Sequence, residues 1–412
     1  MRIAVFLECQ PNSGGGFVQA LSTVVALASA GAMDHAVVVF TPFEATCQVL
    51  LQHGIKSVVF KRRGLRLLDR LSSTVAGGAI LRRLLRLGFS RLGRHMDALL
   101  DDHHIDLVVL SECGEVAMRL SDHHFIVTVW DLDHRDFPEF PEKYADRVFE
   151  RRENVHQVTL IRALAVIANS ASGARRIAEL YHVDPRRIVV LPFLPSLTVR
   201  RHAAGDRRVT GAMVRRKHEL PGKYLFYPAY FSYHKNHLYI LDALIELERR
   251  HGIVLHAVFC GGGDPGDQTI VELQTQALGL TERVHFLGLV DDDEVPPLYE
   301  EALCMVMPTY CGPTNIPPLE AVTLGCPVIY SDLPGCREQM GEAALYCDLA
   351  SPASLADLLA TVLQDPAQTD RLRAAAAKLA AEIAQIDYAQ LLTPVFGKYE
   401  YIQRRWTWPK AP

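Results

Sequence analysis

Short apolar runs rich in β-branched residues alternate with longer stretches of helical periodicity along nearly the whole chain. No other feature limits the fold as much. The alternation is the pattern of β-α-β units wound around parallel sheets. In the first half the predicted strands are Arg2–Phe6, Ala36–Phe40, Leu107–Leu110, Phe125–Val129, Val166–Ala168 and Ile188–Leu191. The second half offers Tyr224–Tyr227, Val254–Cys260, Val284–Leu287, Cys304–Met307 and Pro327–Tyr330. Between the two sets, residues 196–222 hold the polar cluster Arg200–Arg208 and the run Arg215-Arg216-Lys217, and they read as a linker. A chain of 412 residues is long enough for two or three domains, each burying its own core. The fold class expected is therefore α/β, with two doubly wound, Rossmann-like parallel-sheet domains, 1–195 and 223–387, facing a cleft. Ligands belong at the carboxyl ends of their strands. The tail 388–412 carries Tyr399, Tyr401, Trp406 and Trp408, too many aromatics for a solvated appendage, and is expected to pack back on the first domain.

Composition removes several alternatives. Nine scattered cysteines without a C-x-x-C or C-x-x-H pair suggest neither a zinc site nor a disulfide framework, and fit a reducing cytoplasm. The apolar start Met1–Leu7 is too short for a signal peptide, and Phe17–Met33 is broken by Gln19, Ser22, Thr23 and Ser29, which argues against a membrane-spanning helix. With 43 Lys and Arg against 47 Asp and Glu, the net charge of −4 gives no reason to expect nucleic acid.

Three segments carry candidate chemistry. Ser13-Gly14-Gly15-Gly16 lies between the first predicted strand and a helix starting near Phe17. Glycines there let backbone approach a ligand, and the helix start favours an anion. The spacing matches neither a dinucleotide fingerprint nor a P-loop, and a tight turn without ligand is the competing reading. The segment Tyr227-Pro228-Ala229-Tyr230-Phe231-Ser232-Tyr233-His234-Lys235-Asn236-His237 follows the first strand of the second half. Lys235 at the start of a helix can meet a diphosphate as a point charge, or can be a solvated lysine beside a turn. In the third, Pro308 to Ala321, Pro317 and Pro318 suit a first helical turn and Gly325 its stop. Glu320 would then sit one turn into the helix, able to accept hydrogen bonds from two ribose hydroxyls or simply to offset the helix dipole.

Two further runs have plainer alternatives. Asp291-Asp292-Asp293-Glu294 looks like a metal site but precedes Val295-Pro296-Pro297-Leu298, a helix start where acidic residues are favoured. Gly261-Gly262-Gly263-Asp264 follows a strand, and Gly262 could approach a diphosphate or lie in a plain loop.

The ordered set of glycine loop, Y-P-x-x-x-x-x-H-K-N-H, Phe286-Leu287-Gly288 and N-I-P-P-L-E-A followed by G-C-P-V-I resembles the retaining glycosyltransferases of family 4, with the GT-B fold, over nearly the full chain. Asp131-Leu132-Asp133-His134-Arg135 with Phe137-Pro138-Glu139 is similar to a cleft-edge segment of some members. The resemblance implies transfer of a hexose from a nucleotide sugar to a hydroxyl, with retention and without a metal or other cofactor. By that analogy Lys235 holds the diphosphate and Glu320 the ribose. The backbone around Leu287, Gly288 and Leu289 reads the base, and Gly14, Gly15 and Gly16 face the sugar and phosphates. Asp131 and His134 stand on the acceptor side. The chain departs from the family pattern where Gly312 replaces the first glutamate of E-x7-E and where Trp130 replaces a histidine. An arginine usual before the lysine is also absent, the region holding Ala229 and Tyr230. Thr314, Asn315 and the backbone at Ile316 are expected to supply the lost sugar contacts, with Asn315 taking a catalytic part. A nucleotide-sugar-binding pseudoenzyme or partner subunit is the other reading.

Lys61 to Arg94 holds ten basic residues, including Arg62, Arg63, Arg66, Arg82, Arg83 and Arg86, against Asp69 alone, with leucines at helical spacing. Outside this window 33 basic residues face 46 acidic ones, so the near-neutral total conceals a basic patch. The patch could lie on an anionic membrane near a lipid-linked acceptor, bind a polyanionic glycan, or be a solvated face over the core. The partners expected are thus a nucleotide-sugar donor, a glycan or lipid-linked acceptor and an anionic membrane. The expected location is the cytoplasm, with peripheral attachment to the inner face of the membrane.

Overall fold

The computed structural model describes residues 1–11, 14–29, 35–61, 94–312 and 314–406. They form two compact units, one of 1–138, 143–192 and 387 onward, the other of 139–142 and 193–386. In the first unit β1 (Arg2–Phe6), β2 (Ala36–Thr41), β3 (Ser57–Val59), β4 (Leu107–Leu110), β5 (Phe125–Val129), β6 (Ala165–Ala168) and β7 (Ile188–Val190) form one sheet in the order β3-β2-β1-β4-β5-β6-β7. Every pairing in it is parallel. The central strands β4 and β5 are buried at every residue, which is why they read as unbroken apolar runs rather than as alternating ones. Beneath the sheet, Phe6 stacks on Phe40 with ring centroids 5.2 Å apart.

The second unit repeats the plan with β8 (Tyr224–Pro228), β9 (His256–Cys260), β10 (Val284–Phe286), β11 (Cys304–Met307), β12 (Val328–Ser331) and β13 (Ala344–Cys347), ordered β10-β9-β8-β11-β12-β13. These are the two Rossmann-like sheets of the expected fold class. Two strands were not among those predicted. β3 is a three-residue edge strand, too short to show a period, and β13 holds only four residues on the opposite edge of its sheet.

The expected linker is corrected. Residues 196–222 hold two helices, Leu197–Ala203 and Gly211–Lys217, and lie within the second unit, which begins at Phe193. Val199 and Val214 are fully buried, and five of the basic residues that gave the segment its polar look, Arg201, Arg207, Arg208, Arg215 and Lys217, are paired with carboxylates. Arg201 meets Asp293, Lys217 Nζ lies 2.8 Å from Glu294, and Arg215 Nε 2.5 Å from Glu301. The acidic run 291–294 thus finds its partners in the segment read as a linker.

The chain returns to the first unit as the helix Tyr388–Arg405. Tyr388, Leu392, Phe396 and Tyr399 are buried along one stripe of that helix. Tyr388 donates to the carbonyl of Pro192 at 2.5 Å and Tyr399 to that of Asp106 at 3.0 Å. No helix among the described residues is long and apolar enough to cross a membrane. The residues of the expected basic patch, Arg62, Arg63, Arg66, Arg82, Arg83 and Arg86, lie outside the described residues.

Candidate functional site

Strand order reverses between β8 and β11, and in open parallel sheets of this kind ligands are taken in the crevice beyond the carboxyl ends of the strands at that point. The second and third candidate segments are the two chains that leave there. Ala229–Asn236 follows β8 and Pro308–Asn315 follows β11. Backbone ties lock them together: the Tyr310 N–H donates to the carbonyl of His234 at 2.9 Å, and the Thr309 hydroxyl to the same oxygen at 3.2 Å. Tyr227, at the end of β8, donates its hydroxyl to the Lys235 carbonyl at 2.7 Å. Asn236 takes a left-handed conformation, φ 60°, which turns the chain into the helix His237–His251.

Lys235 and Asn315 come together, with Nζ donating to Oδ1 at 3.3 Å. The other atoms of Asn315 are engaged as well. Its Nδ2 donates to the Tyr330 hydroxyl at 2.7 Å and its N–H to Gln339 Oε1 at 3.1 Å, while its carbonyl accepts from Gln339 Nε2 at 2.7 Å. Asn315 is therefore engaged in holding Lys235, a task the expectation of a direct sugar contact did not include. Nothing in the sequence marked Gln339 or Tyr330, which lie 24 and 15 residues away on other elements.

On the other side of the lysine loop, His234 Nδ1 lies 2.5 Å from Glu142 Oε1, and the His234 N–H donates to the same oxygen at 3.2 Å. Burial opposes ionisation of Glu142, but these hydrogen bonds outweigh it and hold the carboxyl at about 2. His237 is 2% exposed and stacks on Phe231 at 4.4 Å. Burial, with repulsion from Lys235 and His234, drives its imidazole down to about 3, so it is neutral.

Gly312 has φ 96°, and a Cβ built there would stand 3.3 Å from the Asn315 carboxamide. Thr314 is 8% exposed, with an Oγ1 that has no hydrogen-bond partner, and Ile316 opens the helix Ile316–Thr323. Pro317 and Pro318 remove two N–H donors from the first turn of that helix, leaving charge near its start to Lys235. Glu320 is 7% exposed; its Oε1 accepts from the Ser196 N–H at 3.3 Å and its Oε2 from the Tyr299 hydroxyl at 3.0 Å. Burial raises its pKa. Among the hydrogen bonds of the described residues, none joins Glu320 to Lys235 or Asn315.

At the ends of β9 and β10, Gly261 takes φ 153°, and a Cβ there would fall 2.3 Å from the Ala229 carbonyl oxygen. A Cβ on Gly263 would fall 2.7 Å from that of Phe231. These two glycines are required by backbone packing. Gly262 between them would meet only Leu289, at 3.5 Å. Leu289 is 74% exposed, next to Gly288 with φ 63°, and the Leu287 N–H donates to the Phe259 carbonyl at 2.9 Å.

In the first unit, Gly14 has φ 78° and Gly15 begins the helix Gly15–Ser29. A Cβ on Gly16 would sit 3.0 Å from the Trp130 ring, so the third glycine and the tryptophan are packing partners. Asp131 is paired with Arg152 at 2.7 Å. Burial opposes its ionisation, yet the guanidinium holds its carboxyl far below the usual carboxylate range, and such a carboxylate is a feeble proton acceptor. His134 is 0% exposed, its Nε2 3.5 Å from both Glu153 and the Tyr181 hydroxyl, and burial pushes its imidazole down. The structure places His134, expected on the acceptor side, in a buried cluster in which Arg135 grips Glu153 at 2.9 and 3.0 Å and Tyr181 donates to Glu153 at 2.9 Å.

Residues 213–379 match the family model of the glycosyl transferases, group 1, which bears out the resemblance for the motifs of that span. The D-inositol 3-phosphate glycosyltransferase of Nocardia farcinica is 28% identical over 256 residues, 60% of this chain and 55% of that protein. The O-antigen chain mannosyltransferase RfbU of Salmonella typhimurium is 26% identical over 250 residues, 58% of this chain and 63% of that one. The chain spans about half the length of the first curated relatives it matches. Among solved structures, Anabaena Alr3699/HepE in complex with UDP and glucose shares the fold with a TM-score of 0.67 at 16% identity, covering 98% of this chain and 100% of that one.

Proposed function

We propose that the chain is a glycosyltransferase that moves a hexose from a nucleotide sugar to a hydroxyl of a glycan or lipid-linked acceptor in surface polysaccharide assembly, with retention and without a metal. The observation that carries this reading is the meeting of Lys235 with the Pro308–Asn315 loop at the strand-order reversal of the second unit, inside the span that matches the family model. Departure of a nucleoside diphosphate builds negative charge on the leaving oxygens, and a preorganised ammonium there stabilises the transition state more than the ground state. Glu320 stays the candidate for the ribose, since each carboxylate oxygen can accept a bond beyond the one it already has. The edge formed by half-buried Gly262 and Gly288 with exposed Leu289 is the candidate face for the base. The first unit takes the acceptor, and residues 61–94 bring the chain to an anionic membrane surface.

The reading is supported by what the relatives are named for, sugar transfer to an inositol phosphate or an O-antigen chain, and by the UDP and glucose bound to a protein of the same fold. A screen of UDP-, GDP- and ADP-sugars by thermal unfolding tests donor binding, because a specific ligand raises apparent stability by mass action. Lys235→Ala should sharply reduce the shift; a shift of wild-type size sinks the diphosphate assignment. Release of free nucleoside diphosphate from the bound donor then separates the transferase from a sugar-nucleotide-binding partner subunit. That second reading is favoured by the side-chain-free position 312. Co-sedimentation with anionic liposomes at low salt tests the membrane contact, and no binding there removes it.

A further inference from the structure

We propose that Gln339 is a positioning residue that, acting through Asn315, fixes the Lys235 ammonium where the nucleoside diphosphate is taken. The inference rests on the reading of Lys235 as the diphosphate ligand. A lysine side chain has many accessible rotamers and does not by itself hold a point in space. Here its Nζ donates to Asn315 Oδ1, so the place of the ammonium depends on the place of that carboxamide.

The Gln339 carboxamide holds that residue at both ends of its backbone. Oε1 accepts the Asn315 N–H at 3.1 Å and Nε2 donates to the Asn315 carbonyl at 2.7 Å. Tyr330 closes the circuit, taking a bond from Asn315 Nδ2 at 2.7 Å and donating its own hydrogen to Gln339 Oε1 at 3.3 Å. Tyr330 is wholly buried, and burial keeps its phenol protonated, so that donor is always present. The circuit also decides which way the Asn315 amide faces. Turning it over would set an NH2 group against the lysine ammonium and an oxygen against a hydroxyl already used as a donor.

A carboxamide fits position 339 because it both donates and accepts in one plane. Leucine would do neither. Glutamate would keep the acceptor but set a second oxygen against the Asn315 carbonyl. The left-handed glycine at 312 belongs to the same construction, since any side chain there would begin 3.3 Å from the Asn315 carboxamide.

The test is a double-mutant cycle on the full chain, with UDP, GDP and ADP titrated by calorimetry and the unfolding midpoint followed separately. Gln339→Leu should weaken binding of the diphosphate that the wild type takes by about tenfold, the scale of losing hydrogen bonds to a charge-bearing assembly. In a Lys235→Ala background the same substitution should change binding by less than about twofold, because the group it positions is gone. Wild-type affinity in Gln339→Leu, or an equal tenfold loss in both backgrounds, overturns the proposal; the second result would mean a merely structural role. Should Gln339→Leu not fold, Gln339→Glu answers the same question, keeping the volume while losing the donor. Failure of the diphosphate reading looks different: Lys235→Ala then binds as the wild type does. Absence of binding of all three diphosphates to the wild type overturns both.

Discussion

At position 312 a backbone φ of 96° and the Asn315 carboxamide 3.3 Å from a notional Cβ make glycine a conformational requirement. The missing glutamate of the family pattern is therefore more than a lost side chain: this loop is built to a shape that a glutamate would strain. Gly312→Ala should destabilise the chain by about 1–2 kcal/mol, the cost of placing an L-residue in that region. Urea unfolding measures it, and an unchanged midpoint would contradict it. His237 makes a separate case. Its folded pKa of about 3 lies below the ordinary 6.5, so the unfolded chain binds more protons as pH falls. The stability that His237 contributes is whole above pH 6.5 and is lost between 6.5 and about 3, at up to about 1.4 kcal/mol per pH unit. His237→Phe, within the ring cluster of Tyr227, Phe231 and Phe259, should flatten that part of the stability profile measured by denaturant unfolding. A profile as steep as the wild type's would assign the acid sensitivity to other groups, of which buried His134 and His156 are the next in line.

Among the elements, strands were the most legible. Arg2–Phe6, Leu107–Leu110, Phe125–Val129 and Cys304–Met307 occur as predicted, because a strand buried on both faces must be an unbroken apolar run. The helices of residues 196–222 were misread for an equally physical reason: a basic run looks the same whether water or a carboxylate faces it. Its partners stand about ninety residues downstream, in the helix Val295–Glu301 and the turn before it. If these ion pairs dock the segment, Glu301→Ala should cost about 0.5–1 kcal/mol at low salt and less in 1 M salt, as half-exposed pairs do. Thermal unfolding at the two salt concentrations checks this, and a cost that does not change with salt would point to packing rather than charge.

For the molecule as a whole, the proposed division of labour predicts where a nucleoside diphosphate slows amide hydrogen exchange. Protection should appear in 229–236 and 308–320 of the second unit, while Gly14–Gly16 and the buried His134 cluster of the first unit stay at their unliganded rates. Protection of the Gly14–Gly16 turn as well would place the glycine loop among the phosphate contacts. The charge distribution also belongs to this scale. The near-neutral total joins a basic window at 61–94 to an acidic remainder, and within the second unit part of that acidity is met by Arg201, Arg215 and Lys217.

By itself the sequence determined what depends on periodicity and on residues close in the chain: two parallel α/β sheets, their central strands, and the two segments that leave the strand-order reversal of the second unit. Tertiary structure alone decided which polar groups pair. Hydrogen bonds and ion pairs form between atoms brought together by folding, and no local pattern announces a partner 24, 80 or 92 residues away, as Gln339 is from Asn315, Lys235 from Asn315 and Glu142 from His234. For the same reason His134, drawn from a motif as a working group, proved to be enclosed, and Gln339, which belongs to no motif, proved to hold the lysine's anchor.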